Sequence, residues 1–231
     1  MVNRSVLVTG ATGGLGTAVS AAFSAAGWRV VAPQRRRPDP VDGPEGDAPV
    51  RIVADLTDPR DAARVAEVAA GDPEAPLRAV VNLVGGYASG GLLHETPVED
   101  FERMLTINLR PTHLVTRAAL PHLVAAGGGA VVCVAARAAV APFPGAAGYV
   151  TAKAAVLGFA AAVATEYKAA GVRCNSVLPS VIDTPTNRDA MPDADHTRWV
   201  DPAEIASVIR FLASDESAPT SGAAVPVYGR A

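Results

Sequence analysis

The sequence predicts a doubly wound α/β fold: a parallel sheet of about seven strands with helices on both faces. Three observations predict it. Short apolar runs of strand length alternate with helix-length stretches along the chain, the order that builds a parallel sheet through right-handed crossovers. The first run, 6–8, enters a turn carrying Gly10, Gly14 and Gly16 and then an Ala-rich helix, which puts a ligand crevice at the carboxyl ends of the strands. The chain has 231 residues, 49% of them hydrophobic, enough for one domain over 1–231, since such sheets exceed about 200 residues without dividing.

The elements follow in order. The first helix reaches about residue 26, and Gly27 separates it from a second strand at 29–32. Residues 33–49, dense in Pro, Gly, Asp and Arg, read as a polar loop. A third strand at 50–54 leads to a helix at 58–70, and a fourth strand at 79–82 to a flexible Gly-rich loop at 85–91. One long helix is expected over 98–126, a fifth strand at 130–134, and a helix carrying Tyr149 to about residue 170. The sixth strand takes 172–178 and the last lies near 223–227, after a helix at 202–213. The Pro- and Asp-rich stretch 179–200 is long for a structureless connection and reads as a lid.

Composition narrows the function. A net charge of −3 and a pI near 5.8 give no electrostatic reason to expect nucleic acid. Cys133 and Cys174 make no disulfide framework, so a reducing cytoplasm is expected. The apolar stretch 154–164 is too short to span a bilayer, and the strand beginning near the start leaves no room for a signal peptide. The four histidines, at 94, 113, 122 and 196, lack metal-ligand spacing, and no metal is expected.

The glycine-rich turn runs from Thr9 through Gly10, Thr12, Gly14 and Leu15 to Gly16. Glycine permits the tight turn and lets backbone N–H groups approach a pyrophosphate at the positive helix end. Asp55, followed by Leu56, ends the third strand; it either accepts from an adenine amino group or caps the next helix. Asn82, ahead of Gly85, either bonds a ribose or bridges strand ends. An acidic residue ending the second strand would grip the ribose hydroxyls of NAD. This chain reads Gln34, Arg35, Arg36, Arg37 instead. Arg35 is placed to pair with a 2′-phosphate, so NADP(H) is expected over NAD(H), while Arg36 and Arg37 read as solvated. Tyr149 and Lys153, four apart, share one helix face. An ammonium there favours the phenolate and would lower the phenol pKa toward neutrality.

These motifs, in this order, resemble the short-chain dehydrogenase/reductase family over nearly the whole chain, with its Rossmann-type fold. The resemblance implies that Tyr149 donates a proton and that Lys153 binds the nicotinamide ribose and lowers the Tyr pKa. It implies that Asn108 holds a relay water, or only distorts its helix, and that Thr184 contacts the carboxamide, or only shapes a turn before Pro185. A homodimer or homotetramer pairing the two long helices is implied too, with a small molecule as substrate.

One departure stands out. Where the family usually carries a serine, thirteen residues before Tyr149, the chain has Ala136, and no Ser or Thr occurs between Val131 and Gly148. Losing such a donor costs on the order of 100- to 1,000-fold where a carbonyl must be polarised. Within the family the chain resembles dihydropteridine-reductase-like members, which also lack that serine and reduce an electron-poor quinonoid ring. The expectation is a reductase of an activated C=N or C=O in a quinonoid or conjugated cyclic molecule. Two other classes stay open: a non-redox isomerase, dehydratase or cyclase, and a dinucleotide-binding regulator without turnover.

Overall fold

A computed structural model describes residues 4–36 and 48–230; Arg37 and most of the expected 33–49 loop lie outside them. The chain begins β1 (Ser5–Val8), α1 (Gly14–Ala25), β2 (Arg29–Gln34), β3 (Val50–Val53), α2 (Pro59–Ala70) and β4 (Leu77–Asn82). It continues α3 (Val98–Asn108), α4 (Arg110–Ala125), β5 (Gly129–Val134), α5 (Ala147–Glu166), β6 (Val172–Pro179), α6 (Pro185–Ala190), α7 (Pro202–Ala213) and β7 (Ala224–Val227). The seven strands form one sheet ordered β3-β2-β1-β4-β5-β6-β7, and every pairing is parallel.

The period-two alternation of the strands divides the core between the two sheet faces. Leu7, Val31, Val80, Val131 and Cys133 pack against α2, α4 and α5. Their neighbours Val6, Val8, Val30, Val81 and Val132 pack with Val19 and Phe23 of α1 and Ile205, Ile209 and Leu212 of α7. Because both faces are covered, β1, β5 and the 79–81 part of β4 read as mostly apolar runs. The edge strand β3 is largely exposed.

Arginines fasten the helices at the amino end of the sheet. Arg29 donates to the carbonyls of Val68 and Ala69 at the end of α2, at 3.3 Å each. Arg78 donates to Ala126 O, just past α4, at 2.5 Å. Arg173 reaches Leu212 O and Ser214 O at the end of α7, both at 2.8 Å. The last carbonyls of a helix have no partner within it and carry its negative dipole end, so a guanidinium there satisfies both.

Four expectations change. The long helix over 98–126 is two helices, broken at Leu109. Pro111 has no N–H to offer the carbonyl four residues back and its ring crowds that turn. The Tyr149 helix ends at Glu166, followed by a 3-10 turn over Lys168–Ala170. The apolar run at 154–164 belongs to this 20-residue helix, which by length and composition could cross a bilayer; here it packs on β6 and α3. The stretch 179–200 carries α6 and a 3-10 turn at His196–Arg198, and Ile182 pairs with Val200 across its base.

Candidate active site

The strand-to-helix turn after β1 is built for close approach. Gly10 has φ +67°, a conformation L side chains rarely adopt. A Cβ at Gly16 would sit 2.0 Å from Gly10 O, so α1 can start there only on glycine. The cap residue Gly13 offers no side-chain acceptor, and no acidic residue lies in the first turn of α1. Its leading N–H groups and positive dipole end face the crevice, as an anionic phosphate requires. Thr12 is exposed on this turn, whereas the Leu15 side chain packs into the core beneath it. Thr9, at the head of the turn, ties it to the end of β4. Its hydroxyl accepts from Leu83 N at 3.0 Å and Val84 N at 3.3 Å.

A cleft of about 660 Å³ runs from this turn across the carboxyl ends of β1–β4. It is lined by Gly10, Thr12, Gln34, Arg35, Arg36, Arg51, Asp55, Leu56 and Gly85 among others. Gln34 turns back on its own chain, Nε2 donating to Arg36 O at 2.6 Å. Among the described residues no carboxylate thus directly follows β2. Arg35, Arg36 and Arg51 line the cleft there, and Arg51 is the one the sequence did not announce, because only strand pairing brings β3 beside β2. The Asp55 carboxylate accepts from the backbone and hydroxyl of Thr57, at 2.9 and 2.7 Å, which holds its pKa below the usual range. It does not cap α2; Asp58 does. Asn82 is buried and donates to Thr116 Oγ1 at 2.9 Å, bridging β4 to α4.

Further along the same sheet edge, Tyr149, Lys153, Asn108 and Gly85 meet. Lys153, only 7% exposed, donates to Val134 O at 3.1 Å and lies 5.9 Å from the Tyr149 ring centre. A Cβ on Gly85 would come within 2.6 Å of Asn108 Oδ1 and 3.1 Å of Lys153 Nζ, so glycine there keeps the point open. Asn108 clamps the loop: its Oδ1 accepts from Gly86 N at 3.1 Å, and its Nδ2 donates to Gly86 O and Met104 O at 3.0 Å. Thr184 caps α6 by accepting from Asn187 N and packs on the glycine turn, its Cγ2 2.6 Å from where a Gly14 Cβ would be. Ala136 lies buried just past β5.

The electrostatics reverse one expectation. Burial, and then the neighbouring Tyr87, push the Tyr149 pKa up to about 12 rather than down. Burial likewise lowers Lys153 to about 8, so this ammonium is itself strained and does not offset the desolvation of the phenol. A phenol with that pKa stays protonated at neutral pH and is poised to give a proton rather than take one. Tyr87 meets Tyr149 edge-on, ring centres 5.1 Å apart, and is another residue the motifs did not single out for this site. Of the histidines, His196 bonds Met191 O at 2.9 Å and lies tilted against Trp199, while His94 is exposed beside Glu95. Among the described residues no group of three or more His, Cys, Asp or Glu could hold a metal.

A parallel sheet with a glycine turn at its carboxyl edge, beside a Tyr and Lys on one helix, defines a class of dinucleotide-dependent oxidoreductases. The short chain dehydrogenase family model matches residues 4–195, and the chain belongs to the short-chain dehydrogenase/reductase family. It is 32% identical to the 2-(R)-hydroxypropyl-CoM dehydrogenase of Xanthobacter autotrophicus, over 99% of this chain and 98% of that one. It superposes on a short-chain dehydrogenase/reductase from Mycobacterium ulcerans with a TM-score of 0.90 at 26% identity, covering 100% of this chain and 90% of that one. An NAD(P)-dependent gluconate 5-dehydrogenase assignment from Beutenbergia cavernae, solved with NADP at low occupancy, matches with a TM-score of 0.85 and 28% identity, over 99% and 96% of the two chains.

Proposed function

We propose that this oxidoreductase is NADP(H)-dependent and reduces an activated C=N or C=O in a small quinonoid or conjugated cyclic molecule, with Tyr149 as the proton donor. The observation that carries it is the half-buried Tyr149 beside the buried Lys153 and Gly85, its phenol held protonated with a pKa near 12. The cofactor supplies hydride chemistry when bound. Gly10, Gly14 and Gly16 with the uncapped start of α1 would take its pyrophosphate, and Asp55, Leu56 and Asn82 would flank the adenosine half. Arg35, joined by Arg51 on the same cleft wall, would pair with the 2′-phosphate, where a carboxylate would repel it. The NADP in the Beutenbergia cavernae protein supports that choice.

Lys153 would hold the ribose and Thr184 the carboxamide, and Asn108 would keep the loop and a relay water in position. Tyr149 would deliver its proton to the substrate atom, and Lys153 would replenish it through that relay. Ala136 contributes no hydroxyl, so the acceptor must arrive already electron-poor, as the resemblance to dihydropteridine-reductase-like members implies. Residues 179–200 act as the lid of a single domain over 1–231. The outward face of α5, where Ala154, Gly158, Ala161 and Ala162 are exposed, would pair with a second copy in a dimer or tetramer. Two buried free thiols fit a cytoplasmic setting.

The missing hydroxyl at Ala136 also favours a non-redox isomerase or dehydratase on the same scaffold. Incubation with NADPH and quinonoid, imine and diketone acceptors separates the readings. Loss of nicotinamide absorbance is expected, falling at least about 100-fold in Tyr149→Phe. Product without absorbance loss would establish the non-redox reading, and full activity in Tyr149→Phe would dismiss this chemistry.

A further inference from the structure

We propose that Tyr87 and Phe143 form an aromatic clamp that selects a flat, uncharged ring as substrate; this rests on the proton-donor reading of Tyr149. Two loops build the mouth over Tyr149, residues 85–96 after β4 and 137–145 after β5. Gly90 N donates to Gly145 O at 2.8 Å, tying them into one rim. Gly145 has φ +79°, and a Cβ there would stand 2.5 Å from Gly90 O, so the rim closes only on glycine. On this rim Tyr87 is 60% exposed and Phe143 43%. Their ring centres lie 6.4 Å apart, tilted by 44°, so neither covers the other. Tyr87 in turn stands edge-on to Tyr149. Leu92, Leu93 and Val140, also more than half exposed, extend the apolar surface of the two loops.

Exposed aromatic and aliphatic side chains converging beside a proton donor are costly in water unless a ligand covers them. The ionisable side chains of both loops lie against other groups of the protein. Glu95 accepts from Leu92 N at 2.8 Å, with His94 beside it, and the Arg137 guanidinium lies 5.1 Å over the Tyr228 ring. Asp183 and Arg188, on the opposing 180–200 segment, pair with each other through two hydrogen bonds. The two loops therefore offer ring edges and faces, and their one guanidinium, Arg137, lies over Tyr228. That separates the expected substrate from the coenzyme M conjugate named for the Xanthobacter autotrophicus relative.

The test compares 9,10-phenanthrenequinone with acetoacetyl-CoA as acceptors for NADPH. The quinone should show a kcat/KM higher by about 100-fold or more. Phe143→Ala and Tyr87→Ala should each raise its KM by about tenfold while kcat changes far less, the loss expected for one aromatic contact with its burial. Equilibrium binding of the quinone to the NADPH complex of Tyr149→Phe supplies a readout without turnover. Binding should persist there and weaken about tenfold when Phe143→Ala is added. Acetoacetyl-CoA used as well as the quinone, or quinone binding indifferent to both rings, overturns the clamp. Turnover surviving Tyr149→Phe would instead remove the proton-donor reading and leave the binding result to decide the clamp.

Discussion

Replacing Lys153 with methionine should make the protein more stable while removing its activity. The side chain is 7% exposed, and burial lowers its pKa from 10.5 to about 8. At neutral pH the folded protein therefore holds a charged lysine against its environment, at a cost of roughly 3 kcal/mol. Methionine keeps the volume without the charge, but it forfeits the hydrogen bond to Val134 O. The net gain expected at pH 7 is about 1 to 3 kcal/mol, or about 2–4 °C in Tm per kcal/mol for a chain of this size. The pH dependence is the sharper part. Between pH 8 and 10 the folded lysine of the parent protein sheds its proton while the unfolded chain still binds one, so parent stability rises through that window. The advantage of Lys153→Met should shrink accordingly. Above pH 10 the raised Tyr149 acts oppositely, since the unfolded phenol ionises before the folded one. Urea unfolding of cofactor-free protein at pH 7 and pH 10 measures both effects. A variant less stable than its parent at pH 7, or a gain of equal size at both pH values, would refute the buried-charge argument.

Three further outcomes follow from named contacts. Arg173→Ala should cost roughly 2–4 kcal/mol in denaturant unfolding by orphaning the carbonyls at the end of α7, while turnover per folded molecule stays at the parent level. Gly16→Ala places a methyl 2.0 Å from Gly10 O; calorimetry should show a loss of about 1–3 kcal/mol and cofactor titration a weakening of tenfold or more. Arg35→Ala should raise the NADPH Kd by about 10- to 100-fold and leave NADH alone, with Arg51→Ala acting in the same direction more weakly. Equal losses for both cofactors would place neither guanidinium on the 2′-phosphate.

The sheet was legible because burial on both faces makes β1, β5 and the 79–81 part of β4 mostly apolar, and the glycine turn because backbone crowding at Gly16 admits no other residue. In the structure Gly10, Arg35, Asp55 and Gly85 line one cleft, and Asn108 and Lys153 come together beside Gly85. What stayed hidden depends on contacts between distant segments. Arg51 joins the cleft through strand pairing alone, and Tyr87 meets Tyr149 only because the β4 loop folds over α5. The direction of the Tyr149 pKa was misread for the same reason. Spacing placed a cation beside the phenol, but the desolvation that outweighs it belongs to the assembled pocket. The break at Leu109 is different, since Pro111 was in plain view; a helix-length pattern on both sides of it masked the interruption.

The two ends of the sheet show why the chemistry collects where it does. All seven strands point one way, so the crossover helices point the other, and their carbonyl ends gather at the amino edge of the sheet. There Arg29, Arg78 and Arg173 occupy those carbonyls. The cleft of about 350 Å³ at that edge, lined by Arg4, Arg78, Lys168 and Arg173, looks cationic in a list of residues, yet most of its guanidiniums are committed to helix ends or, for Arg4, to Trp28 and Asp215. At the carboxyl edge the pattern inverts. The start of α1 has neither a side-chain cap nor an acidic first turn, and Gly10, Gly16 and Gly85 stand where any side chain would fill the space. Satisfied helix ends at one edge confer stability, and the uncapped start of α1 at the other, where Asp58 and Asp201 close the starts of α2 and α7, leaves a place for a charged ligand. The same polarity of the sheet produces both.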